Sequence, residues 1–312
     1  MLSQLSGQDY IPFYKEFNSI DSLISYGEYK KASRKIKSLD RDYILHPSLY
    51  YRLSKELVET NKALARAYFK KGVKNGLVEA TKFEGWYSEV AKFDSIHFNA
   101  KIIKNIDSEI QSAEEHKEYI ELVKNCIDVD VSVRRLIHSK RIEGYPSITQ
   151  YGADIKRGTP KIDSTIHSTY TREYNEFWRK DSTNILQFVN YVLKKGYIPT
   201  PHDIGYAVNP YVLLVHSGKF DFDPKYYELV LKSVMAGGTF PSTYAWMMSL
   251  KCEYKKEECH YYFNNSVEFL EELDQSQKDL INRKRDQIGV KPIPALIWNR
   301  RIYNPKTEWG GL

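Results

Sequence analysis

Cysteine is scarce in this chain: three in 312 residues, which leaves room for at most a single bridge. Cys126 lies in the apolar helical run Tyr119 to Ile127, where a thiol behaves as a small hydrophobe. Cys252 and Cys259 flank the charged stretch Glu253 to Glu258, which reads as a hairpin or loop. A disulfide closing it is geometrically possible and would favour an exported protein; two thiols is the plainer reading. With His260 the pair makes a Cys-x6-Cys-His cluster, but the spacing is not that of a zinc knuckle and a fourth ligand is not evident, so no metal is expected. No run of 18 apolar residues occurs, so no transmembrane segment is expected. The first eight residues are too short and polar for a signal peptide. An exported or periplasmic location follows if an apolar leader was removed, a cytoplasmic one otherwise. Charge of one sign is not gathered: 46 basic and 40 acidic residues leave a net +6 that is interspersed rather than blocked. That is the pattern of a well-solvated surface, and no nucleic-acid partner is expected. An obvious nucleophile motif, a phosphate loop and a metal box are likewise missing, which argues against the common cofactor-dependent and hydrolytic classes; no cofactor is expected.

What the chain has is helical periodicity. Phe13, Phe17, Ile20 and Ile24 recur at three- and four-residue steps and line one helix face. After Tyr26-Gly27-Glu28 a second helix carries Ala32, Ile36 and Leu39. The pattern restarts behind Pro47 with Leu49, Leu53 and Leu57, turns at Asn61-Lys62, and returns with Ala65 and Phe69 before Gly76, a glycine suited to a left-handed helix end. Ala32 and Ala65 stand 33 residues apart. Tetratricopeptide helix pairs repeat at about 34 residues, with small residues where two helices approach closely. Two such units need support from elsewhere, because about three are required to bury a continuous core.

Downstream, Trp86, Val90 and Phe93 form a short stripe, and Asp94 or Ser95 can cap a helix carrying Ile96, Ile103, Ile106 and Ile110. A further helix runs through Leu122 and Val133 to Ile137. Glycine and proline then gather between Arg141 and Ser168, predicting a long loop whose Lys156, Arg157 and Lys161 can meet an anion or, as the favoured reading, keep it solvated. Helices are predicted around Phe177 to Lys195, Ala207 to His216 and Pro224 to Ala236, from Pro241 through Trp246, and from a Ser276 cap to Gln287. Alternation with period two is almost absent. The expected fold is therefore mainly α: tetratricopeptide-like helical hairpins and a connector over residues 1–112, then an α-helical C-terminal domain over 113–312 with a loop insertion near 141–168.

Several short stretches occur in an order that carries a resemblance. They are Gly196-Tyr197-Ile198-Pro199, Leu213-Leu214-Val215-His216, Pro241-Ser242-Thr243-Tyr244-Ala245 and Arg283 to Val290. Upstream of them, Asp130-Val131-Ser132-Val133-Arg134 and Asp181-Ser182-Thr183-Asn184 are similar to an Asp-Gln-x-x-Arg-like and an Asp-x-x-Asn-like motif. Together they resemble an uncharacterised bacterial domain-of-unknown-function family often preceded by tetratricopeptide-like helices. The family pattern has an aspartate after the Tyr-Ala pair, where this chain has Met247, Met248 and Ser249; its later glycine-rich turn is here Tyr261 to Asn265. The resemblance thus implies a site with two polar elements altered.

The polar set that survives is Asp130, Arg134, Asp181, Asn184 and His216. Asp130 and Arg134 are four apart and can pair on one helix face; Asp181 and Asn184, three apart, can share a face or cap the helix. In an enzyme of the hydrolase kind, an Asp–His pair serves as general base toward water and Arg134 holds an anionic group. In a structural protein, the same residues form a buried network tying helices together. The chain's 25 tyrosines suit interfaces, since tyrosine buries area and keeps a polar tip. On the hairpins, Tyr26, Tyr29, Tyr50, Tyr51 and Tyr68 are the expected contacts for a protein or peptide partner. Non-enzymatic protein interaction is the leading expectation from sequence, with the hydrolase-like site as the alternative.

Overall fold

The computed structural model describes residues 9–43, 45–84, 87–106, 116–141, 145, 147–148, 150–152, 164–204, 208–255 and 274–293. Among them the protein is all helix, without a strand. The first four helices are α1 (Ile11–Ser25), α2 (Tyr29–Leu39), α3 (Pro47–Leu57) and α4 (Lys62–Lys74). α1 packs on α2, α3 packs on α4, and α2 packs on α3. α2 and α4 begin at Tyr29 and Lys62, the same interval that separates Ala32 from Ala65. Both alanines are fully buried. Local signals start these helices. Pro47 opens α3 behind His46, whose ring accepts from the Ser48 amide, and Asn61 caps α4 by accepting from the Leu64 amide at 3.1 Å.

The connector is α5 (Leu77–Glu84), α6 (Tyr87–Phe98) and the single turn α7 (Ile102–Asn105). Asp94 does not start a helix here. It lies inside α6, 1% exposed, and its carboxylate accepts from the Ile103 and Ile102 amides at 2.9 and 3.3 Å. The chain folds back through Asn99 and Ala100, both at positive φ, so Asp94 caps the following helix from the side instead of its own.

The C-terminal half contains α8 (Lys117–Ser139), α9 (Ser164–Lys195), the short α10 (Pro201–Ile204), α11 (Tyr211–Ser217), α12 (Pro224–Met235), α13 (Pro241–Lys255) and α14 (Gln275–Gln287). The loop expected up to Ser168 ends earlier, because α9 already begins at Ser164, and Ile148 and Tyr151 are buried. Lys156, Arg157 and Lys161 lie outside the described residues. α14 is capped by Asp274, not Ser276; Asp274 and Gln277 form a reciprocal capping box. α11 starts at Tyr211 rather than Ala207.

The core does not divide at residue 112. One contiguous apolar cluster runs from Tyr10 to Val290. α1 seals it against the C-terminal half: the Tyr10 amide donates to the Met235 carbonyl at 2.8 Å, the Tyr14 hydroxyl donates to the Thr239 carbonyl at 3.0 Å, and Lys15 pairs with Asp286 at 2.8 Å. Two glycines at positive φ let α1 approach. A Cβ at Gly237 would stand 2.6 Å from the Tyr10 ring, and one at Gly289 2.9 Å from the Tyr14 Cβ. The support that two hairpins need is thus supplied by the C-terminal helices. Among the described residues, no helix is long and apolar enough to cross a membrane.

Candidate functional site

α8 buries Tyr119, Ile120, Val123, Cys126, Asp130 and Ile137 along one stripe, so Asp130 occupies a position that the helical period assigns to the core. α9 does the same with Asp181 and Asn184, which precede the apolar Ile185, Phe188, Val189 and Val192 on its buried face. α8 and α9 lie against each other, and α11 packs on both. This delivers His216, at the end of the buried Leu213-Leu214-Val215 run, to the two aspartates.

Four of the five sequence-predicted polar residues come together. Arg134 Nε donates to both oxygens of Asp130 at 3.0 and 3.1 Å. Its Nη2 lies 2.8 Å from each ring nitrogen of His216. His216 Nδ1 is 3.0 Å from Asp130 Oδ1. Asp130, Asp181 and His216 each present a ligand atom within 4.8 Å of the others. The fifth residue is elsewhere: Asn184 Nδ2 donates to the Cys126 carbonyl at 2.7 Å and ties α9 to α8.

Burial and charge grade the site. The side chains of Asp130 and Asp181 are almost wholly enclosed, His216 is 13% exposed and Arg134 32%, so the cluster meets solvent at Arg134. Burial works to raise the Asp130 carboxyl, but the hydrogen bonds and charges of His216 and Arg134 outweigh it and hold Asp130 below the usual carboxylate range. Burial raises Asp181, against the opposing charges of His216 and Arg134. Asp181 Oδ2 is buried without a hydrogen-bond partner among the described residues. Burial costs such an atom its hydration, and here the charges of His216 and Arg134 return part of that cost without a hydrogen bond.

Sequence reasoning missed the surroundings of this cluster. His167, Tyr170, Tyr174, Phe177 and Trp178 form a half-exposed aromatic face on α9, with Tyr170 and Tyr174 stacked at 5.3 Å. The Arg134 guanidinium lies 6.0 Å from the Phe177 ring centroid, and Lys219 Nζ 5.1 Å from that of Trp178. The three- and four-residue spacing of those aromatics was the available signal.

The expected partner-binding tyrosines divide differently. Tyr26 is 82% exposed, and the Tyr29 hydroxyl donates to Glu56 at 3.2 Å on the surface. Tyr50, Tyr51 and Tyr68 are buried and cannot touch a partner. Their rings fill the space between helices: Tyr50 donates to Asp40, Tyr68 shares a hydrogen bond with Ser33, and Tyr51 meets Phe93 edge-on at 5.4 Å. Cys252 is buried on α13; Cys259, with His260, lies outside the described residues, and the choice between a bridge and two thiols lies there with it.

No protein family, curated protein or solved structure matches the chain.

Proposed function

We propose that the chain is a hydrolase-like enzyme acting on an anionic substrate at the Asp130–Arg134–Asp181–His216 cluster. The observation that carries this reading is the buried, unpartnered Asp181 Oδ2 amid that cluster. A network that serves only to hold helices together gains when every member is satisfied; one that keeps a carboxylate oxygen in reserve pays in stability for a group that must engage something else. Asp130, fixed by Arg134, orients His216, and this pair handles the attacking water. Arg134 is the most exposed member and presents a guanidinium to a carboxylate or phosphate group. Phe177 lies beside it and, with the adjoining Trp178 ring, offers a face to the apolar part of the substrate. The hairpins, tetratricopeptide-like in their offset, act as the scaffold that closes the core. The family resemblance, in this reading, comes from the same polar residues.

The loss of Tyr50, Tyr51 and Tyr68 to the core weakens the alternative of a hairpin-borne interaction surface. The test is turnover by the full chain against a panel of phosphate and carboxylate esters, beside His216→Ala. Hydrolysis of at least one class, lowered on the order of a hundredfold or more in the variant, is expected. Turnover unchanged in His216→Ala, or none with any ester, overturns the proposal.

A further inference from the structure

We infer that Asp130, Asp181 and His216 form a binding site for a divalent cation of the zinc or manganese kind; this rests on reading the cluster as a working site. Two carboxylates and an imidazole are the donor set that suits such ions. Their ligand atoms lie within 4.8 Å of one another, whereas donors about 2.1 Å from one ion sit roughly 3.4 Å apart in a tetrahedron. A small rotation of side chains closes that difference, and the backbone is already set, because α8, α9 and α11 pack mutually. Three protein ligands leave coordination positions for water, the arrangement of a catalytic rather than a structural ion.

Two independent observations point to a cation. The first is Asp181 Oδ2, enclosed and unpartnered beside the other donors. The second is the place of Arg134. Its Nε spans the oxygens of Asp130 while its Nη2 meets the His216 nitrogens at 2.8 Å, so a positive group already faces two of the three ligands. A ring nitrogen that faces the guanidinium at 2.8 Å stands where a metal ion would be ligated. Arg134 is therefore a competitor for the ion: its partly exposed side chain leaves as the ion enters and turns toward solvent, where the anionic group of the substrate is expected. With an ion bound, Asp130 and His216 would serve as its ligands, and the ion, in place of a free Asp–His base, would lower the pKa of the attacking water.

The test is calorimetric titration of the chelator-treated full chain with zinc and, separately, manganese. Saturable binding is expected, weakened about tenfold or more in Asp181→Asn and strengthened severalfold in Arg134→Gln, which removes the competing charge. Circular dichroism checks that each variant folds; should Asp181→Asn not fold, His216→Gln takes its place under the same criterion. No saturable binding, or binding unaltered by loss of a ligand, overturns the inference. Ester turnover that persists in excess chelator also overturns it while leaving the hydrolase reading intact. Cation binding without turnover of any ester supports the inference and overturns the hydrolase reading alone.

Discussion

Asn184 donates from its side-chain amide to the Cys126 carbonyl at 2.7 Å, while Asp181, one turn earlier on the same face of α9, leaves an oxygen without a hydrogen-bond partner among the described residues. Two buried polar residues three positions apart therefore have opposite energetic roles. Asn184 adds a tie between two helices; Asp181 carries a desolvation cost that the charges of His216 and Arg134 return only in part.

The two sites are expected to respond oppositely to substitution. Asn184→Ala removes the side-chain hydrogen bond that ties α9 to the Cys126 carbonyl of α8 and should cost about 0.5–1.5 kcal/mol. Asp181→Leu removes a buried carboxylate and should leave stability unchanged or raise it by about 1 kcal/mol or more. Urea unfolding of both variants decides the matter. A loss of about 2 kcal/mol at Asp181 marks it as structural.

Ala65 is fully buried, and its carbonyl accepts from Ser54 of α3 at 2.9 Å, so α3 and α4 meet closely there. Ala65→Leu should force these helices apart and cost about 1–3 kcal/mol by overpacking. An unchanged melting temperature would remove the reason for a small residue where α3 and α4 meet.

Gly237 ends α12 at φ +82°, under the ring of Tyr10. Gly237→Ala adds backbone strain and a side chain where the Tyr10 ring already lies, and about 2 kcal/mol or more should be lost. Hydrogen exchange should show the loosening first in α1. If α1 stays as protected as in the parent, its docking does not depend on this turn.

His46 caps α3 in a fully enclosed site, and burial lowers its pKa from 6.5 to about 3. The sign follows from proton counting. Between those values the unfolded chain binds a proton at His46 that the folded chain does not, so stability rises with pH across this window and is lost as pH falls below about 6.5. The slope from this residue approaches about 1.4 kcal/mol per pH unit. His46→Asn keeps a capping acceptor and removes the titration. Its urea midpoint should fall less between pH 7 and pH 5 than that of the parent; parallel curves would show that His46 does not carry the effect.

Much of the helical order was legible because its signals are local. Pro47, Asn61, Pro224 and Pro241 stand at or beside helix starts, and the apolar spacing of α1 to α4 marks their buried faces. The polar set was singled out by a motif resemblance, and only the four- and three-residue spacings of Asp130 with Arg134 and of Asp181 with Asn184 were read from helix geometry. Local spacing failed where the partner of a side chain lies elsewhere in space. Asp94 has the look of a cap for its own helix, yet its acceptors serve Ile102 and Ile103 because the chain doubles back at Asn99 and Ala100. Tyr50, Tyr51 and Tyr68 have the composition of contact residues, yet helix packing encloses them.

By itself, then, the sequence determined a mainly helical protein with an alanine at matching places in two hairpins, and it named Asp130, Arg134, Asp181, Asn184 and His216. Periodicity and capping are properties of residues within a turn or two of each other, and they survive being read along a line. Only the tertiary structure decided that Asn184 ties helices while Asp181 faces the cluster, that Arg134 reaches a histidine 82 residues away, and that α1 closes a single core against residues more than 200 positions downstream. Those outcomes depend on which helix faces meet, and this is set by the summed burial of the whole chain rather than by any local pattern.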